Sequence, residues 1–99
     1  MKVRVLDPAE GDLQEAFDHY ETARTGLGTE FASEFRHAID RILNLPHAWH
    51  PLDSVYRRCR FNRFPYGVVY RVDDQAQQII VVAVSHMSRK QDWWRGRIP

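Results

Sequence analysis

The segment Ile79 to Ser85 reads IIVVAVS and is apolar on both faces of an extended strand. A strand without a polar face cannot sit at a sheet rim, so it predicts an interior position with a neighbour on each side. The chain before it supplies candidates. Tyr66 to Val72 is rich in β-branched and aromatic residues, and Asp73 to Gln77 reads as the hairpin loop between the two runs. Tyr56 to Phe61 alternates: Tyr56, Arg58 and Arg60 take one face, Arg57, Cys59 and Phe61 the other. Phe64-Pro65 marks a turn or strand entry, and Val3 to Val5 a short first strand.

The remaining length is helical in period. Asp7 is placed as an N-cap, with Pro8 at the first helical position and Glu10 completing a capping box. A helix then runs to about Arg24, with Leu13, Ala16, Phe17 and Tyr20 on its buried stripe. Thr25-Gly26-Leu27-Gly28 breaks it, since two glycines permit a tight reversal. A second helix, from about Thr29 to Asn44, carries Phe31, Phe35, Ala38, Ile39 and Ile42 on one side. It ends before Pro46, because the residue preceding a proline resists helical geometry. His47 to Asp53, with Pro46 before it and Pro51 within it, reads as a loop. The order β-α-α-β-β-β predicts one α+β domain over residues 1–99, a helical hairpin packed on a mainly antiparallel four-stranded sheet. The second sheet face, or the edge of the strand carrying Arg58 and Arg60, is left for function.

Charge is distributed unevenly. Residues 1–50 hold five Lys/Arg against nine Asp/Glu, and residues 51–99 hold nine against four. The acidic helices and basic strands suit an anionic or protein target better than a small apolar ligand. No apolar run approaches the roughly 20 residues of a membrane span, and MKVRVLDPAE lacks the apolar core of a signal peptide. A lone cysteine, Cys59, cannot form an internal disulfide and reads as a small core residue. These features predict a cytoplasmic protein with no membrane partner. His47, His50 and Asp53 lie in a proline-bounded loop with no cysteine nearby, so no metal is expected. No glycine-rich phosphate loop or other cofactor motif is present, and no cofactor is expected.

An ordered set of residues resembles toxins of the RelE/ParE superfamily, from bacterial type II toxin–antitoxin operons. It comprises Ala9, Asp12-Leu13, Ala16 and Tyr20-Glu21 in the first helix, and Gly26-Leu27-Gly28, Phe31 and Glu34 entering the second. It continues through Ile39, Ile42 and Pro46 to Arg60, Arg63-Phe64-Pro65-Tyr66 and Val69-Tyr70. It closes with His86, Arg89, Trp93 and Arg95. The resemblance implies a growth-arresting toxin neutralised by a cognate antitoxin protein. RelE-like members cut messenger RNA on the ribosome without a metal; ParE-like members poison DNA gyrase. The FPYGVVY strand and the His86–Arg89–Trp93 spacing resemble the ParE-like, plasmid-stabilisation branch.

Metal-free RNA cleavage needs a base for the 2′-hydroxyl, cations for the phosphorane and an acid for the leaving oxygen. Arg58 and Arg60 stand where the resemblance implies basic residues of the nucleases. Gly67, Met87 and Trp93 stand where it implies two arginines and a tyrosine, and an indole N–H cannot transfer protons. An imidazole titrates near neutrality, so His86 is a catalytic candidate, with Arg60 and Arg89 as cationic ones; the structural alternative for His86 is to cap the strand end or pack against Trp93 or Trp94. Arg89 has an ion pair with Asp92 or a helix carboxylate as its alternative. Of the adjacent Trp93 and Trp94, one is expected to be buried and the other available. Arg58, Arg60, His86, Arg89, Trp93 and Arg95 are expected to form one target-binding surface. The readings, in order, are gyrase inhibition, a ribosome-dependent mRNA endoribonuclease, and an inert binding module.

Overall fold

A computed structural model describes residues 1–98. The elements are β1 (Lys2–Val5), α1 (Asp7–Ala23), α2 (Leu27–Asn44), β2 (His50–Pro51), β3 (Tyr56–Arg60), β4 (Tyr66–Asp73) and β5 (Gln78–His86), followed by a 3₁₀ turn at Arg95–Arg97. The sheet order is β1-β5-β4-β3-β2. β1 runs parallel to β5, and the other pairs are antiparallel. The sheet thus has five strands, not four. The fifth is the two-residue β2, opposite Arg57 and Arg58. Its sequence carries proline, which restricts it to an edge and hides it from a pattern-based reading.

The helical hairpin covers one face. Phe31, Ile42, Cys59, Val68, Tyr70, Ile79 and Val81 are almost fully enclosed between helices and sheet. Gly28 allows the close approach of α1 and α2: a Cβ there would lie 2.8 Å from the Phe17 carbonyl oxygen. Gly26 takes φ 90°, the left-handed conformation that starts the reversal. The Glu21 carboxylate accepts from the Gly26 N–H at 2.9 Å and the Gly28 N–H at 3.0 Å. A charge from α1 therefore satisfies orphan donors of α2 and complements its positive end. The capping box expected at Asp7 does not form. Leu6 is the N-cap, without a side-chain cap, and the Glu10 N–H bonds the Leu6 carbonyl.

The other sheet face has its own core. Val69, Ile80, Val82, Ala83 and Trp94 are buried there, with Leu6, Tyr56 and Ile98 packed against them. β5 is thus covered on both sides, as its composition requires. The pairing shifts between Val69 and Tyr70, which face Ala83 and Val81. Val82 is left as an extra residue, a bulge that reverses the facing of everything after it. Beyond the bulge Val84 joins the helix-side core, Ser85 faces the tail, and His86 returns to the helix side.

Candidate functional site

β3, β4 and β5 align Arg60, Gly67 and Ser85 in one cross-strand row. The Trp93 indole N–H donates to Ser85 Oγ at 2.8 Å and extends the row into the tail. Arg89 and Arg97 sit over the Trp93 ring, at 3.5 and 4.5 Å from its centroid. The Arg58 stem lies across Gly67: a Cβ on Gly67 would come within 2.8 Å of Arg58 Cγ. Arg58 therefore occupies the space a side chain at 67 would need. Its Nε is buried and, among the described residues, has no hydrogen-bond partner. Burial, and then the neighbouring Arg60 charge, lower its pKa, although a guanidinium remains cationic.

The residues expected to form one surface are split by the fold. Arg58, Arg60 and the Ser85–Trp93 pair belong to the face away from the helices. One target-binding surface requires His86 on the face of Arg58 and Arg60. The bulge at Val82 instead turns it to the helix side, where its ring meets Tyr66 edge-on at 5.0 Å. His86 Nδ1 accepts from the Ser88 N–H at 3.0 Å, so the ring also caps the strand end. Arg95 is engaged internally: its Nε donates to Asp92 at 2.8 Å and its Nη1 to Asp53 at 2.7 Å. Asp92 thus pairs with Arg95, and Arg89 stacks on Trp93. Trp94 is the buried member of the tryptophan pair, at 1% exposure. Trp93 is half-buried.

A cleft of about 250 Å³ opens on the helix side beside α1, lined by Asp12, Glu15, His19, Tyr66, His86 and Arg89 among others. Burial is the main cause that raises the Tyr66 pKa; Tyr20 and Glu15 add to it and Arg89 opposes them. Tyr66 thus stays a neutral phenol beside the His86 imidazole. The cleft holds groups able to move a proton, but the cations of Arg58 and Arg60 lie across the sheet. Among the described residues no three His, Cys, Asp or Glu side chains converge as a metal would need. His47 faces Asp74 at 3.7 Å, and Asp53 accepts from the Val55 and Tyr56 N–H groups.

Sequence reasoning missed the ties that place the tail. Asp12 of α1 accepts from the Val84 N–H at 3.0 Å, beyond the end of β1. The same carboxylate accepts from Arg97 at 2.7 and 3.2 Å. Such a pair leaves no local sequence signal, because its partners lie at opposite ends of the chain.

Among the described residues no helix is long and apolar enough to cross a membrane. Residues 3–91 match the family described as the ParE toxin of the type II toxin–antitoxin system, parDE. Toxin ParE2 of Mycobacterium tuberculosis, in strains CDC 1551 / Oshkosh and ATCC 25618 / H37Rv, is 35% identical over 82 residues. That match covers 82% of this chain and 78% of the relative. A solved structure of the chromosomal ParDE system from P. aeruginosa superposes with a TM-score of 0.64 at 15% identity, covering 89% of this chain and 97% of the other. The RelBE2 toxin–antitoxin complex from M. tuberculosis gives 0.62 at 21% identity, covering 86% and 95%. These two likenesses support the fold: a helical hairpin on a mostly antiparallel sheet. With the family match spanning nearly the whole sequence, the chain belongs to the ParE toxin family of type II toxin–antitoxin systems.

Proposed function

We propose that this ParE-family chain arrests growth in the cytoplasm by inhibiting DNA gyrase and is neutralised by a cognate antitoxin protein. The observation that carries the target is the division of chemistry between the two sheet faces. Arg58 and Arg60 stand on one face and the His86–Tyr66 cleft on the other, so these two cations do not converge with the proton-transfer groups on one scissile phosphate, and the cleft keeps only Arg89 of the three expected cations. Gly67 adds to this, because the Arg58 stem already fills the space beside it. The named neighbours are themselves toxin–antitoxin assemblies, which supports an antitoxin partner. The basic sheet side suits an acidic antitoxin segment that orders on binding.

The test adds purified protein to a gyrase supercoiling reaction and, separately, to translating ribosomes with RNA ends mapped. Loss of supercoiling with intact RNA is expected. Codon-positioned cuts with normal supercoiling would establish the second reading, a metal-independent endoribonuclease. That reading is favoured by His86, Tyr66 and Arg89 lining one cleft. Normal growth of a bacterium expressing the soluble chain alone would leave an inert binding module. Within the gyrase reading, Arg58→Ala/Arg60→Ala and Arg89→Ala should weaken toxicity while the far-UV circular dichroism stays unchanged. Fully toxic folded variants would move the target surface to the acidic hairpin.

A further inference from the structure

A second cleft lies at the outer edge of β3, past the end of β2. It is lined by Arg41, Trp49, His50, Arg58, Arg60 and Asn62, with the Phe61 ring in its wall, and encloses about 390 Å³. Three arginines line it, and among the described residues no carboxylate does. Among the described residues none of the three takes part in a salt bridge, whereas Arg24, Arg63, Arg95 and Arg97 all do. Arg41 is steered into place by donating to the Arg60 carbonyl at 2.7 Å, and Arg58 keeps a buried Nε without an acceptor.

The aromatic wall is held in place as well. The Trp49 indole N–H donates to the Arg41 carbonyl at 3.1 Å, and the Arg41 guanidinium lies 6.0 Å from its ring centroid. Clustered arginines without carboxylate partners match the oxygens of a phosphodiester. An aromatic ring beside them offers a surface on which a base can stack.

We propose that this cleft binds a single nucleic-acid strand, with a phosphodiester against Arg58, Arg60 and Arg41 and a base against Trp49. An acidic peptide would also satisfy the charges, but it does not call for the ring among them. The proposal goes beyond gyrase inhibition and is independent of it, since it concerns binding by the isolated chain. It requires no cleavage, and the cleft shares no lining residue with the His86–Tyr66 cleft.

The test is fluorescence anisotropy of the full chain with labelled oligothymidylate and oligouridylate of about 12 nucleotides, across a salt series. Contacts from three arginines predict a log–log salt slope of about −2. Arg58→Gln/Arg60→Gln should weaken binding at least tenfold and flatten the slope by more than half. Arg4→Gln/Arg71→Gln removes the same charge from a groove elsewhere on that sheet face and should leave affinity within about twofold. Binding of one or both oligomers supports the site, and their ratio identifies DNA or RNA as the source of the strand. Competition by AMP equal to that of the oligomers would reduce the site to a nucleotide pocket and overturn the strand. Equal competition by an oligoglutamate peptide would overturn it in favour of an acidic protein segment. No saturable binding, a slope near zero, or equal losses in the two double variants would also overturn it. Arg60→Gln alone, at an exposed side chain without a hydrogen-bond partner among the described residues, repeats the test if the first double variant does not fold; it should weaken binding at least threefold, and an unchanged affinity would overturn the site.

Discussion

Trp94 offers the sharpest energetic test, because one side chain closes the second core. Its ring is 1% exposed, lies 4.9 Å from the Tyr56 ring, and donates its N–H to the Gln91 carbonyl at 2.8 Å. An aromatic side chain of this class buries roughly 150–250 Å². At about 25 cal/mol per Å² this is about 4–6 kcal/mol. A compact unfolded chain already hides part of that surface, which lowers the figure to about 3–5 kcal/mol. Truncations of buried Trp to Ala fall in the same range. Trp94→Ala should therefore remove a large share of the roughly 5–15 kcal/mol available to a domain and lower Tm by roughly 15–30 °C. Trp93→Ala should cost about 2 kcal/mol, from one hydrogen bond and two cation–π contacts. Urea unfolding followed by far-UV circular dichroism measures both without relying on tryptophan emission. A Trp94→Ala cost below about 1 kcal/mol, or one smaller than that of Trp93→Ala, would refute the second core.

Four further outcomes are expected. Gly28→Ala should destabilise by about 1–3 kcal/mol in denaturant, since the new methyl meets the Phe17 carbonyl rather than a mobile side chain. Gly11→Ala, with open space around it, should instead stabilise by up to about 1 kcal/mol. Asp12→Ala should cost about 1.5–3 kcal/mol, because it leaves the Val84 N–H unpaired and frees Arg97; quantitative urea curves check this. The Asp53 pKa is lowered, chiefly by the Tyr56 and Val55 N–H groups, with Arg95 contributing less. A depressed folded pKa gives stability that is complete above the ordinary carboxylate pKa of about 3.9 and is lost as pH falls through the folded value. The Tm gap between the wild-type chain and Asp53→Asn should therefore be constant near neutrality and shrink only under acid conditions below that value. A gap that widens on acidification would contradict the assignment.

Much of the fold is legible in the amino-acid order because it rests on local periods. The 3.6-residue stripe around Phe31, Phe35, Ala38 and Ile42 marks α2 and its buried side. The two-residue alternation of β3 assigns Arg58 and Arg60 to one face and Cys59 to the other. The doubly apolar Ile79–Ser85 run requires an interior strand. Gly26-Leu27-Gly28 and Pro46 punctuate the helices through backbone restrictions of their own. The decisive features of the candidate sites are not local. Extending the two-residue period of β5 assigns His86 to the face of Ile80 and Val82, the face that Arg58 and Arg60 share. The unpaired Val82 reverses that parity and sends His86 across the sheet. A bulge arises from how β5 must satisfy β4 and the two cores together, so the strand's own residues do not announce it. The tail is similar: whether Arg95 and Arg97 are free depends on Asp53 and Asp12, which only folding brings near. Periodicity tells a residue which side of its own element it occupies; long-range pairing decides what stands on that side with it.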